Sequence, residues 1–307
     1  RLLGALGEAN EWGQMTLLEA VTRGLAVGAN KQLTALEVEA MAERTLPRLQ
    51  HGSPGVLLAA VNLLLLLLEC RECGEEMAAT IRRKLVPPIV TLLTPSSACP
   101  PELQWTLLRS LRLILAQPAH AALLQQAVRI LFCRYHEPPY LKREKLQLLC
   151  LVVEQAPEAI LAELGEYARE VDRSHAQAAI AAMAQCCLRQ SSLVEPTVSL
   201  LSDLILAELV PQAGAAAQAL RLLSRRHAGV QIESRVIATL IRLWPLLEST
   251  AAQAAVMALA AVNYNEHAGW LRSLDPLDLE PLLQGELLTA LAAEDAMTLQ
   301  AVAATLQ

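Results

Sequence analysis

The stretch Ser53–Leu68 reads SPGVLLAAVNLLLLLL, and its reading decides the fold class. From Val56 to Leu68 every residue is apolar except Asn62. A membrane-spanning helix needs about 20 apolar residues, so this run is too short to span. It fits a helix that is apolar almost all round and buried on most sides within protein. Pro54 stands at its first turn, where the missing N–H has no intrahelical partner to lose.

The same punctuation recurs along the chain. Ser53-Pro54, Pro100-Pro101, Pro138-Pro139, Ser174, Pro211 and Thr250 each precede an apolar helical pattern, with starts about 35 to 47 residues apart. Two helices and their turns need that length, and HEAT or armadillo units fall close to it. The spacing predicts first helices at these six points. Second helices are expected at Met77–Leu93, His120–Phe132, Ile160–Val171, Leu193–Leu209, Glu233–Leu247 and Asp275–Leu291. Before them, Leu17, Leu18, Val21 and Leu25 suit one helical face, and Leu36, Ala40, Met41 and Leu46 another. Leu107, Leu108, Leu111 and Ile114-Leu115, then Leu141, Leu148, Leu149 and Val152, repeat the helical period. No alternating strand of useful length occurs. A pair with one apolar face cannot bury it alone, so the pairs must stack. The expectation is an all-α chain, a single α-solenoid of HEAT/armadillo-like helix pairs over residues 1–307 with no second domain. Thr94–Pro101 (TPSSACPP) is the clearest interhelical loop, and Arg272–Pro281 a second irregular place.

Composition agrees. Hydrophobic residues make up 54% of the 307, which excludes a disordered chain, and aromatics only 3%, which argues against an all-β fold. The 25 Lys+Arg against 31 Asp+Glu give a net charge of −6, unsuited to a general polyanion binder, so nucleic acid is not expected as a partner. The chain opens on Arg1 without a leader pattern, which suggests a piece of a longer protein. Seven cysteines, irregularly spaced and odd in number, read as reduced thiols. Cys70-Arg-Glu-Cys73 is a lone CxxC without a second ligand pair, better read as a helix end than as zinc chemistry.

Catalytic signals are lacking. The six histidines form no HExxH or similar pairing and read as capping or surface residues; there is no GxSxG, P-loop or GxGxxG. Glu37/Glu39 and Glu163/Glu166 suit solvated helical faces. Neither an enzyme nor a cofactor is expected. Three basic clusters stand out: Arg82-Arg83-Lys84, a possible anion-contacting patch; Lys142-Arg143-Lys145; and Arg221/Arg225/Arg226/His227, which favours a helix C-terminus electrostatically. The most distinctive string is Leu131–Lys145, LFCRYHEPPYLKREK, with the only Phe and two of four Tyr. It reads as helix end, tight turn and helix start. Either its aromatics pack the turn onto the core, or the corner binds a partner through Phe132, Tyr135, Tyr140, Lys142 and Lys145.

At this string the chain resembles the β-subunit (β-adaptin) trunk of heterotetrameric vesicle-coat adaptor complexes. The match rests on Phe132, Tyr135, Glu137, Pro138, Tyr140, Lys142, Lys145 and Leu146. Further segments follow in the family's order: Glu11–Gln14 (EWGQ), Pro47–Leu49 with Ser53–Val56, Leu85–Leu93 (LVPPIVTLL), Pro101–Gln104 (PELQ) and Leu161–Asp172 (LAELGEYAREVD). Beyond these the chain matches only as helical repeats, apart from Glu286–Leu291 (ELLTAL); Met257–Asn265 departs from the family pattern. The forms SPGV and FCxYxEPxY are most similar to the fourth adaptor complex.

The resemblance implies the C-terminal half of a trunk, a non-enzymatic scaffold. Its implied partners are the N-terminal domain of the medium subunit and the other large subunit, with the small subunit contacted indirectly. It further implies a cytoplasmic coat component, peripheral on trans-Golgi network and endosomal membranes. A general HEAT-repeat transport receptor or phosphatase scaffold is the alternative, to be recognised by carboxylates along the second helices.

Overall fold

The computed structural model describes residues 2–27, 33–70, 73–94, 99–115, 124–125, 127–227 and 229–262. The expected helix at Asp275–Leu291, the irregular Arg272–Pro281, the ELLTAL match and His267 lie outside the described residues. The described chain is all-α, built of HEAT/armadillo-like helix pairs, and divides into two compact units at Gln155/Ala156.

The first unit holds α1 (Glu11–Val27), α2 (Ala35–Thr45), α3 (Pro54–Glu69), α4 (Glu75–Leu93), α5 (Pro101–Leu115) and α6 (Pro139–Leu151). Short 3₁₀ turns precede α1, follow α2 and occupy Val128–Leu131. The second unit holds α7 (Pro157–Tyr167), α8 (Arg173–Arg189), α9 (Val194–Leu206), α10 (Val210–Arg226), α11 (Ser234–Leu243) and α12 (Thr250–Val262). The six expected first helices are α3, α5, α6, α8, α10 and α12, each starting within one residue of its expected start. The cause is local. Pro54, Pro101, Pro139 and Pro211 stand in first turns, and Asp172 caps α8 by accepting from the Ser174 and His175 amides.

In the first unit α3 lies against α1, α2, α4 and α5. Val56, Leu57, Ala60, Val61, Leu63, Leu64 and Leu67 are therefore all buried, while Asn62 is exposed. In the second unit α10 packs against α8 and α12 in one layer and α9 in the other. Gly214 is demanded there by proximity: a Cβ would come 3.2 Å from the Ala252 Cβ and 3.3 Å from Leu247 Cδ2.

Three expectations need correction. α2 buries Val38, Ala42 and Thr45, with Leu49 after it, instead of Leu36 and Ala40, which are exposed. Its sequence carries apolar residues on two sides. The Thr34–Glu37 capping box fixes where the helix starts, and contact with α3 and the first 3₁₀ turn selects the buried side. Of the second helix expected at His120–Phe132, the described residues contain only the turn Val128–Leu131. His175 is buried, its ring 5.1 Å from that of Tyr167, whereas His51 takes the capping role by accepting from the Ser53 amide.

No helix among the described residues is long and apolar enough to cross a membrane. The seven cysteines are free thiols; burial pushes those of Cys70, Cys73, Cys99 and Cys187 above their ordinary range.

Candidate functional site at the Phe132–Leu146 corner

The corner is held together from inside by a lysine. The chain leaves the 3₁₀ turn extended at Phe132, turns through residues 133–138 and enters α6 at Pro139. Pro138 caps the helix, its carbonyl accepting from the Leu141 and Lys142 amides. Lys145, one turn further on, points back into the turn. Its Nζ donates to the Phe132 carbonyl at 3.1 Å and to Glu137 Oε1 at 2.5 Å. Glu137 also accepts from the Arg134 amide at 3.1 Å, and the Arg134 Nε lies 3.8 Å from it. The Lys145 side chain is 2% exposed and that of Glu137 10%. A charge so enclosed is tolerated because its donors have partners on both sides of the turn. Cys133 Sγ closes the loop by donating to the Lys142 carbonyl.

The two tyrosines do the reverse of packing the turn. Tyr135 is 88% exposed and Tyr140 41%, while Phe132 is half-buried. The core-anchoring reading of the tyrosines is thus corrected: the anchor is the Lys145–Glu137 pair, and the tyrosines are displayed. Lys142 is also buried. Of the expected partner-binding residues, Tyr135 and Tyr140 stand on the surface, and the two lysines form the support behind them.

The Arg82-Arg83-Lys84 cluster is divided in the same manner, whereas in Arg221/Arg225/Arg226/His227 only Arg226 is exposed and the others are half-buried. Arg82 is buried, with Nη1 3.5 Å from Glu75 Oε1. Arg83 and Lys84 are exposed and border a groove of ≈ 570 Å³ with Glu43, Pro47, Pro87 and Pro88. Pro87 and Pro88 lie inside α4. They offer the Lys84 carbonyl neither its i+3 nor its i+4 amide. A larger groove of ≈ 790 Å³ runs along α8, α10 and α12, lined by Ala181, Ala184, Gly214 and Ala215 and by the Arg173–Glu248 pair at 2.9 Å. Sequence reasoning missed it; its only signal is the run of small residues at helical spacing. No group of His, Cys, Asp or Glu able to hold a metal occurs among the described residues.

The motif segments prove to be corner pieces. Gln14 of EWGQ reaches back to the Ala9 carbonyl at 2.9 Å, and Gln104 of PELQ to the Cys99 carbonyl at 2.7 Å, the same five-residue device at two helix starts. Arg48 of the PRL segment donates to Gln14 Oε1 at 3.4 Å. Tyr167 of LAELGEY is buried and donates to Glu163 at 2.7 Å, and Asp172 closes that segment as the cap of α8. A family model for the adaptin N-terminal region matches residues 1–261. The chain belongs to the adaptin N-terminal-region family.

Among its relatives, AP-1 complex subunit beta-1 of Mus musculus is 33% identical to this adaptin over 286 residues, which are 93% of this chain and 28% of that protein. AP-1 complex subunit beta of Dictyostelium discoideum is 32% identical over 206 residues, 67% of this chain and 20% of that protein. The adaptin chain thus spans little more than a quarter of the mouse relative. Among solved structures, karyopherin Kap121p bound to the SUMO protease Ulp1p aligns with a TM-score of 0.57 at 14% identity, covering 85% of this chain and 29% of that one. Kap121p bound to Ste12p aligns at 0.55 and 14%, covering 96% and 34%. At such identity the likeness shows the helical-repeat fold alone.

Proposed function

We propose that this adaptin is part of the trunk of an adaptor-complex β subunit and acts as a non-enzymatic scaffold in a vesicle coat. The observation that carries the reading is the family match over residues 1–261, to which the β-subunit relatives add their weight. Within it we assign the chain to the C-terminal half of the trunk, as one solenoid over residues 1–307. The order of its motifs supports the placement. SPGV at 53–56 and FCxYxEPxY at 132–140 favour the fourth adaptor complex. The partners are then the N-terminal domain of the medium subunit and the other large subunit, with the small subunit reached through them. The complex works on the cytoplasmic side of trans-Golgi network and endosomal membranes. The corner contributes contact through Tyr135 and Tyr140, with Phe132, Lys142 and Lys145 fixing its shape; Arg82, Arg83 and Lys84 supply a basic rim, of which Arg83 and Lys84 are outward.

The transport-receptor alternative calls for carboxylates along the second helices. α7 and α9 carry them, but α4 adds Arg82, Arg83 and Lys84, and α11 has Arg235 and Arg242 without any acid. That pattern does not favour it. Co-expression with the medium and other large subunits of the fourth complex, and in parallel of the first, tests the proposal. A co-eluting assembly is expected with the former. A monodisperse chain that captures neither set overturns the scaffold reading, and preferential capture by the first complex's subunits overturns the subtype alone.

A further inference from the structure

Two stripes of side chains lie next to one another on α5 and α6, outward except at Glu144. On α5, Trp105, Arg109 and Arg112 stand at i, i+4 and i+7, on one side of the helix. On α6, Tyr140, Arg143/Glu144 and Gln147 repeat that spacing. The stripes meet where Arg112 reaches across: its Nη1 lies 3.5 Å from Glu144 Oε2 and donates to Gln147 Oε1. Arg109 is stacked on the Trp105 ring, its Cζ 4.8 Å from the centroid. Leu113 beside them is 63% exposed, and Tyr140 41%.

The charge on this face is one-sided where water can reach it. Arg109 and Arg143 are exposed and have no carboxylate within ion-pair distance among the described residues. Arg112 is 34% exposed; its partner Glu144 is drawn inward, with 13% exposed. Glu102, in the first turn of α5, is the exposed carboxylate of the two helices. Three arginines therefore meet solvent against one acid, on a chain whose net charge is −6. The residue types are those that dominate interface energetics, an aromatic and arginine set around an apolar residue. They are also fixed beforehand: Arg109 by its ring, Arg112 by α6, and the start of α6 by the enclosed Lys145–Glu137 pair. Preorganised side chains lose little freedom on binding.

We propose that the α5–α6 face docks an acidic segment of a partner protein, with Arg109 and Arg143 meeting its carboxylates and Trp105, Leu113 and Tyr140 its apolar side chains. The proposal does not depend on which complex the chain enters. The probe is a fluorescein-labelled peptide of four Glu-Glu-Leu-Tyr repeats, set against its Lys-Lys-Leu-Tyr counterpart and against vesicles containing phosphatidylserine, all read at low and high salt. The acidic peptide is expected to bind and to weaken as salt rises. Arg109→Glu with Arg143→Glu is expected to weaken it at least about tenfold, and Arg109→Gln with Arg143→Gln by less, while Arg226→Glu, an exposed arginine in the second unit, leaves it within about twofold. Thermal melting shows whether each variant is folded, and the glutamine pair carries the test if the glutamate pair is not. Undiminished binding by both double variants overturns the proposal. So does absence of peptide binding by the parent chain, and so does binding of vesicles in place of the peptide.

Discussion

The two units build their helix layers from different material. α3 of the first unit carries eight leucines, and the corner at the end of that unit is locked by a buried ion pair. α8 and α10 of the second unit carry six and five alanines, with Gly214 at the contact with α12. Leucine fills the space between helix axes, whereas alanine and glycine let the axes close. The first arrangement fails when something is removed, and the second when something is added.

The largest expected effect tests removal. Lys145→Ala leaves the Glu137 carboxylate enclosed without its closest donor and should destabilise the fold by about 3–5 kcal/mol in urea unfolding. A loss under about 1 kcal/mol would mean the corner relaxes to let in water. Addition comes next. Gly214→Val should cost about 1–3 kcal/mol, because its side chain must displace the Ala252 methyl or Leu247. The same change at Gly52, where nothing lies within 4 Å of an added Cβ, should be milder.

A smaller effect asks whether the second unit is held by polar contacts too. Cys187 Sγ donates to Thr197 Oγ1 at 3.1 Å in a buried setting, and Thr197→Val should cost about 1 kcal/mol. The thiol also gives a pH signature. Burial raises it and the threonine contact lowers it less, so the folded chain holds its proton to higher pH than the unfolded chain. Stability from this group is complete below the ordinary thiol range and is lost as pH rises from there through the raised value of the folded chain. The urea midpoint should fall at alkaline pH, and fall less in Cys187→Ala. The smallest expected change is a gain. Glu208 has φ of 59° in the turn between α9 and α10, so Glu208→Gly should relieve strain, offset in part by the lost contact with Arg242. A net change within about 1 kcal/mol is expected in the same unfolding assay.

Much of this contrast was open to sequence reading, and its limits lie at identifiable residues. The buried faces of α5 and α6 follow from their leucine spacing, since Leu107, Leu108 and Leu111 on one helix and Leu141, Leu148 and Leu149 on the other fall on one side. α2 has two possible sides, because Leu36 suits a core by composition as well as Val38 and Ala42 do, and spacing alone does not separate them. The corner motif is legible as a unit, but spacing leaves open whether its tyrosines pack the core or face a partner and treats its lysines as surface groups, whereas Tyr135 is exposed and Lys145 enclosed. Trp105, Arg109 and Arg112 form a stripe that spacing could have exposed. Its pairing with α6 could not be seen, because Arg112 and Gln147 are 35 residues apart.

By itself the sequence determined where helices begin, how far apart their pairs lie and which family they belong to. Proline, capping side chains and apolar period act within a few residues of where they stand, and family motifs are carried in the letters. Only the tertiary structure decided which charged groups are inside and which aromatics are outside. A lysine is pulled inward when a carboxylate and a carbonyl wait across the turn, and those partners are met only once the chain has folded back on itself.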